Sequence, residues 1–474
     1  MILNQRVHKN LPLKKALRVS KGSVIAFAGA GGKTTALFQL ARELAPPVIV
    51  TATTHLGVWQ IPLADKHIIA ESIEPLKNLE RGLSGVTLVT GRIGERTTPV
   101  SNTVLYWLRE FCNFHATNLL IEADGSRQKP LKAPAAHEPA IPGFVNHLIY
   151  LAGLSGLGHP LSEENIHRPE IFANLSGSNI GDIVTAEALI RVLTHLQGGL
   201  KNIPAASKRT LILNQADTVD AQSHAGSISP ALLKLFDSVI IASLQKKEIY
   251  AVHENVAGII LAAGASTRFG QPKQLLDWRG EPFIRVVAKT ALSAGLSPVV
   301  IVTGANAEQV ERAVLDLDVT IVRNPDWENG QSTSIKAGLS IVTPSASSQG
   351  ATGDSQKTNL SNYGGVPQKQ AGAAIFLLSD QPHIRPEVLR ALVEVHARGL
   401  HPIVAPLVLE ERRANPVLFD RVTFPDLMTL EGDVGGRAIF PKYQVEYLHW
   451  HDDRLLLDVD KPEDYQRLIE DETL

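Results

Sequence analysis

Short runs rich in Val, Ile and Leu recur along almost the whole chain, separated by segments with helical periodicity and by glycine-rich or polar stretches. That alternation predicts α/β architecture with parallel sheets. In the first half, strands are expected at Ser23–Ala28, Val48–Ala52, Thr87–Thr90, Asn118–Glu122, His147–Ala152, Thr210–Asn214 and Ser238–Ala242. A second series is expected at Val256–Leu261, Val299–Thr303, Thr320–Val322, Ala373–Leu378 and Pro402–Ala405. Each series is large enough for a domain of its own. Two domains are therefore expected, 1–250 and 251–474, joined through the polar segment Gln245–Asn255. Pro344–Gly372 breaks the pattern: Ser, Gln, Gly, Asn and Thr dominate, and a stretch so poor in large apolar residues reads as a disordered insertion in the second domain. There is no repeat at a solenoid-like period.

Composition narrows the picture. At 474 residues the chain exceeds one ordinary core, and 44% hydrophobic with 20% charged residues describes a globular protein. A formal net charge of −2 gives no global field for nucleic acid or an anionic membrane. The single cysteine, Cys112, rules out an internal disulfide framework and suggests a reducing compartment. No apolar run nears the roughly 20 residues that span a bilayer, and Met1–Asn10 lacks a signal-peptide core. A cytoplasmic protein is expected.

The sharpest chemical signal is residues 258–276. An apolar strand runs into a loop of small residues, Leu261-Ala262-Ala263-Gly264-Ala265-Ser266, followed by Arg268, Gly270 and Lys273. Small residues let backbone N–H groups approach phosphate oxygens, and the two cations neutralise the charge gathered there. The pattern reads as a loop holding a nucleoside triphosphate for attack at its α-phosphate. A second strand ends in Asp380 with Pro382 enforcing a turn; in open α/β sheets ligands gather at such carboxyl ends, and a hard cation such as Mg²⁺ suits a carboxylate beside phosphates. An aspartate that merely starts a turn is the plainer reading of Asp380 alone. Asp458 and Asp460 alternate across Val459, which places both carboxylates on one side of an expected strand. They complete a metal site with Asp380 or form an exposed edge. The loops Asn329-Gly330-Gln331-Ser332 and Gly432-Asp433-Val434-Gly435-Gly436-Arg437 are weak signals individually, since such pairs usually mark ordinary turns.

These residues together, with Asn415-Pro416-Val417, resemble the molybdenum cofactor cytidylyltransferases of the MobA-like NTP transferase class, from Val256 to about Tyr465. The resemblance implies a Rossmann-like nucleotidyltransferase domain with a mostly parallel sheet. It implies transfer of CMP from CTP to the phosphate of the molybdopterin cofactor, with release of pyrophosphate and with Mg²⁺ on Asp380, Asp458 or Asp460. Arg268, Lys273 and Asp380 are the expected catalytic residues. Leu261, Ala262, Ala263, Gly264, Ser266, Gly270, Gly330, Gln331 and Ser332 are expected around the nucleotide, and Asn415, Asp433 and Arg437 around the acceptor. Related guanylyltransferases carry Leu-Ala-Gly-Gly where this chain has Leu261-Ala262-Ala263-Gly264, so Ala263 leans toward CTP over GTP. Ser379 stands where the family usually has Gly.

The first half carries its own phosphate-loop candidate, Gly29-Ala30-Gly31-Gly32-Lys33-Thr34-Thr35 after an apolar strand. Lys33 is expected to reach terminal phosphates and Thr34 to ligate Mg²⁺. Phe27 occupies a position where the usual pattern has glycine, so the loop is a shortened, P-loop-like variant. Glu122-Ala123-Asp124 ends a buried strand, with Asp124 as the expected metal organiser. Asn214 and Asp217, as Asn-x-x-Asp, resemble the guanine-reading element of GTPases, although Gln215 replaces its Lys; a helix cap by Asp217 is an equal alternative. His55 and His167 fit no zinc spacing and read as structural.

The segments Gly29–Thr35, Glu122–Arg127 and His167–Glu170 resemble a YqeC-like accessory family linked to selenium-dependent molybdenum hydroxylases. That resemblance implies a second NTP, ATP or GTP, at the N-terminal domain. It also implies an apo-molybdenum hydroxylase of xanthine dehydrogenase type as partner, with no nucleic acid or membrane. The leading expectation is a bifunctional maturation factor. Guanylyl or other nucleotidyl transfer, and a nucleotide-gated cofactor chaperone without transferase chemistry, are the alternatives.

Overall fold

The computed structural model describes residues 11–80, 83–266, 269–343, 370–459 and 461–470. Residues 344–369 of the insertion expected at 344–372, Arg268 and Asp460 lie outside them, whereas Ala371, at its expected end, is buried. The chain divides into two compact units, Met1–His253 and Glu254–Leu474. Both are mixed α/β with largely parallel sheets.

The N-terminal unit carries β1 (Val24–Gly29), β2 (Val48–Ala52), β3 (Leu56–Gly57), β4 (Lys66–Ile69), β5 (Val86–Thr90), β6 (Arg96–Thr97) and β7 (Asn118–Glu122). It continues with β8 (Leu131–Lys132), β9 (His147–Gly153), β10 (Ile166–His167), β11 (Lys208–Asn214), β12 (Ser238–Ser243) and β13 (Glu248–Glu254). Its helices are α1 (Leu13–Ala16), α2 (Lys33–Glu43), α3 (Asn102–Phe114), α4 (Pro169–Ser176), α5 (Ala186–Thr194) and α6 (Val219–Leu233). Among the described residues the main sheet has nine strands, ordered β13-β12-β11-β9-β1-β7-β2-β5-β4. Every residue of β1, β2, β5, β7, β9 and β12 is buried, as strands covered on both faces require. Two expectations change here. Residues 248–254, read as part of a polar joining segment, form edge strand β13 because Ile249 and Val252 are buried among polar neighbours. The cap of α6 is Thr218, whose hydroxyl accepts from Ala221 N–H at 3.2 Å, and not Asp217.

The C-terminal unit carries β14 (Val256–Ala262), β15 (Asp277–Trp278), β16 (Glu281–Pro282), β17 (Val299–Thr303), β18 (Thr320–Arg323), β19 (Ala373–Leu378) and β20 (Ile403–Val408). β21 (Arg412–Arg413), β22 (Val417–Asp420) and β23 (Val445–Trp450) follow. Its helices are α7 (Phe283–Ser293), α8 (Ala307–Ala313), α9 (Gln331–Val342), α10 (Pro386–Gly399), α11 (Phe424–Leu427) and α12 (Pro462–Glu470). The main sheet runs β18-β17-β14-β19-β22-β20-β21, with β23 on β20. The first four strands are parallel, but β22 is antiparallel to both neighbours. Val417–Asp420 is short and follows the turn at Leu409–Glu410, where both φ angles are positive, so the chain returns as a hairpin rather than through a helical crossover. The strand expected around Asp458 does not form. Val459 is buried with Leu276, Trp278 and Phe283, and its carbonyl accepts from Lys273 Nζ at 2.8 Å instead of from a neighbouring strand.

Both sheets place a chemically loaded loop at a reversal of strand order. β14 lies between β17 and β19, and β1 between β9 and β7. Loops leaving such central strands open into a crevice where ligands can enter. No helix of the described residues is long and apolar enough to cross a membrane.

Candidate active site and phosphate-loop cleft

In the C-terminal unit, β14 and β19 run side by side with Leu261 opposite Leu378, so the loops after them open together. Lys273 Nζ lies 3.0 Å from Asp380 Oδ2, and the two side chains are 17% and 22% exposed. Both therefore face a cleft rather than the core. The small-residue loop is braced from beneath by Gln274, whose Nε2 donates to the carbonyls of Ala262 at 3.1 Å and Gly264 at 2.6 Å. Ser266 Oγ accepts from Lys273 N–H at 3.0 Å and donates to Gln274 Oε1 at 3.3 Å. With carbonyls tied back, the loop can turn N–H groups toward a ligand. Gly270 has φ +77° and open space where a side chain would stand.

The two weak loop signals meet. α9 starts at Gln331, whose N–H donates to Asp433 Oδ1 at 3.2 Å, and Ser332 N–H donates to the Gly432 carbonyl at 3.2 Å. Gly330, at φ +104°, lies where any side chain would run into the backbone of Gly432 and Asp433, so glycine is needed for this closure. Ser332 Oγ is buried without a hydrogen-bond partner. The cleft over these parts is 830 Å³ and includes Ala263, Ser266, Lys273, Gly330 and Asp380. A second hollow of 520 Å³ shares Leu261, Gln331, Leu378 and Asp433 with it. Phe376, Val417 and Phe419 give it an apolar floor. Arg437 donates to Asn415 Oδ1 at 3.2 Å on its rim, so the three expected acceptor residues gather there.

Among the described residues no group of three or more His, Cys, Asp or Glu side chains is gathered to hold a metal. Asp458 is tied to the residue that follows Asp380: Gln381 donates to its Oδ1 at 2.6 Å. Carboxylate oxygens near a phosphate cleft are the donor set that a hard divalent cation accepts.

The N-terminal loop is tighter. Gly29, Gly31 and Gly32 all have positive φ, and side chains there would strike Leu151, Gly153 and Asn214 respectively. Phe27 is fully buried inside β1, so the turn is only Ala30–Gly32 before α2 begins at Lys33. Lys33 is buried: Nζ donates to the Gly29 carbonyl at 2.6 Å and lies 3.2 Å from Asp124 Oδ1. Asp124 Oδ2 accepts from Gly29 N–H at 3.1 Å and from Lys132 Nζ at 2.8 Å. Lys132 also pairs with Glu138 at 2.8 Å, and Arg168 grips Glu138 with two bonds of 2.7 and 3.0 Å. Burial would raise the Glu138 carboxyl, but hydrogen bonds from Arg168 and Lys132 carry it down to about 2. Burial first, then Arg168 and Lys132, push His167 down to about 4.

Thr34 Oγ1 donates to Glu122 Oε2 at 3.3 Å, and burial raises the Glu122 carboxyl against the pull of Lys33. Asn214 spends its amide on the loop's own frame: Nδ2 donates to the Gly31 carbonyl at 2.6 Å and Oδ1 accepts from Leu244 N–H at 2.9 Å. Asp217 accepts from Ser243 Oγ at 2.5 Å. A cleft of 870 Å³ opens over Gly31–Thr35 and reaches His55, Glu122, Arg127 and Arg168. Sequence reasoning passed over Glu138 and Gln274. Gln274 left one signal, a polar residue directly before the apolar Leu275-Leu276; Glu138 left none, since its partners are 6 and 30 residues away.

Residues 258–447 match the family described as MobA-like NTP transferase domain, and residues 25–170 match the YqeC protein family. Uncharacterized protein YqeC of Escherichia coli (strain K12) is 31% identical over 212 residues, covering 43% of this chain and 80% of that protein. Nicotine blue oxidoreductase of Paenarthrobacter nicotinovorans is 31% identical over 225 residues, 45% of this chain and 96% of that protein. Molybdenum cofactor cytidylyltransferase of Escherichia coli (strain K12) is 38% identical over 85 residues, which is 18% of this chain and 44% of that protein.

Proposed function

Because the chain belongs to the YqeC family through its N-terminal half and carries a MobA-like NTP transferase domain in its C-terminal half, we propose that it is a molybdenum cofactor cytidylyltransferase fused to a nucleotide-binding accessory domain. The observation that carries this reading is the Lys273–Asp380 pair at the mouth of two adjacent parallel strands. The 830 Å³ cleft around it takes the triphosphate of CTP, and the adjoining apolar hollow takes the pterin. A phosphate oxygen of molybdopterin attacks the α-phosphorus; the bond to the bridging oxygen breaks, and pyrophosphate leaves.

Such transfer depends on alignment and charge neutralisation more than on covalent chemistry. Lys273 holds the leaving pyrophosphate, Gln274 and Ser266 fix the loop, and Asp433 fixes the start of α9 against the nucleotide. Asp380, with Asp458 nearby, would hold Mg²⁺, which when bound neutralises triphosphate charge. Arg268 is assigned to the triphosphate on its motif position alone. In the N-terminal unit we assign the triphosphate of ATP or GTP to Gly31–Thr35 and its cation to Thr34 and Glu122, since Asp124 is already enclosed by two lysines. Its role is in maturation of a molybdenum hydroxylase.

One observation favours a second reading. The oxidoreductase matches over nearly its whole length, whereas the cytidylyltransferase match covers less than half of that protein. On that reading the same cleft holds the substrate of an oxidoreductase. Purified protein with Mg²⁺ and molybdopterin is expected to release pyrophosphate with CTP faster than with GTP or UTP. Oxidation of NADH or NADPH by an added dye, with no pyrophosphate from any nucleotide, would replace transfer with hydride chemistry.

A further inference from the structure

The base of the N-terminal nucleotide needs a seat, and Asn214 and Asp217 do not supply it. Both ends of the Asn214 amide are bonded to backbone, and Asp217 is absent from the cleft wall. On the other side of the same cleft stands Trp59, 57% exposed. An indole this open on a cleft wall offers a large apolar surface to whatever enters the cleft.

Its position is built. The two-residue strands β3 and β6 pair Gly57 with Arg96, and Arg96 Nη2 ties back to the His55 carbonyl at 2.6 Å. The indole edge lies directly against Gly57, in the space that any side chain there would fill. The pyrrole side of the indole is thus held against backbone while the residue stays open to the cleft. Next in the chain, Gln60 is 6% exposed and lines the cleft, and its Oε1 is buried without a hydrogen-bond partner.

We infer that Trp59 is the stacking platform for the base of a nucleoside triphosphate whose phosphates sit on Gly31–Thr35, with Gln60 as an acceptor at the base edge. This rests on the phosphate-loop reading of the N-terminal unit. Stacking uses the π-face that every base has, so ATP and GTP are held alike.

Calorimetric titration of the full chain with ATP, GTP and inorganic tripolyphosphate in Mg²⁺ tests this, counting only the component of binding that Lys33→Ala removes. Trp59→Ala is expected to weaken ATP and GTP by roughly 10-fold or more while tripolyphosphate changes by less than about twofold. Trp59→Phe is expected to recover most of the loss. Equal loss for tripolyphosphate would make Trp59 a prop for the loop and overturn the inference. Unchanged nucleotide binding would overturn it too, leaving the exposed indole to a protein partner. No Lys33-dependent binding of any ligand would remove the phosphate-loop reading itself and the inference with it.

Discussion

The two units solve one problem with opposite exposures. Each sends a central parallel strand into a small-residue turn, follows it with a lysine, and sets an aspartate from the adjacent strand against that lysine. In the N-terminal unit the pair is buried, at 3% and 1% exposure, and a second lysine closes over the same carboxylate. In the C-terminal unit the pair is 17% and 22% exposed, and the lysine also donates to the Val459 carbonyl. A buried charge must keep its partner or cost several kcal/mol; one in a cleft can exchange its partner for a ligand. Lys33–Asp124 is therefore placed to hold the fold, while Lys273–Asp380, half-open on its cleft, is placed where a ligand can reach it.

The sharpest way to break that contrast is Asp124→Ala. It leaves Lys33 and Lys132 buried without their shared carboxylate, and the N-terminal unit is expected to lose about 3–5 kcal/mol in denaturant titrations. The unfolding of the C-terminal unit, followed separately, is expected not to move. Asp380→Ala and Lys273→Ala should do the reverse. Pyrophosphate release is expected to fall about 100- to 1,000-fold with the thermal midpoint held; a midpoint that drops along with activity would place this pair in the structural class too.

Gln274→Ala is a milder probe. It frees two loop carbonyls and should cost about 1–3 kcal/mol of transition-state stabilisation, seen mainly in kcat/KM for CTP. Wild-type kinetics would deny the brace any role in shaping the loop.

The last contrast is in pH. Glu138 sits at about 2 against an ordinary 4.5, so its stabilisation is present above 4.5 and is lost as pH falls from 4.5 through 2. His167 at about 4 against 6.5 stays neutral when folded while the unfolded chain binds a proton, so stability also falls between 6.5 and 4. His383 gives the C-terminal unit the same upper window through burial, again near 4. Glu138→Gln should therefore flatten the lower window, in the N-terminal unit alone, while His167, losing a carboxylate that raises it, deepens the upper one. A slope that survives the substitution would assign the acid sensitivity to another carboxylate.

Much was legible beforehand because it is local. Strands such as Val48–Ala52, Asn118–Glu122, Val299–Thr303 and Ala373–Leu378 have the predicted bounds, since a short apolar run between polar or turn-forming segments fits little else. Both loops announced themselves through glycines and lysines at fixed offsets. Strands β22 and β23 were missed: a four-residue buried run and a half-exposed edge carry no periodicity of their own.

By itself, then, the sequence determined the class of each unit, the two small-residue loops and the lysine in each, because turn sterics and strand patterning act over a few neighbouring residues. Only the tertiary structure decided what those residues meet. It closed two unremarkable glycine loops into one wall through Gly330 and Asp433, used Asn214 to brace the Gly31 turn, and buried one lysine–aspartate pair while leaving the other in a cleft. Those outcomes depend on partners tens to hundreds of residues apart, and on how deeply the sheet buries each charge.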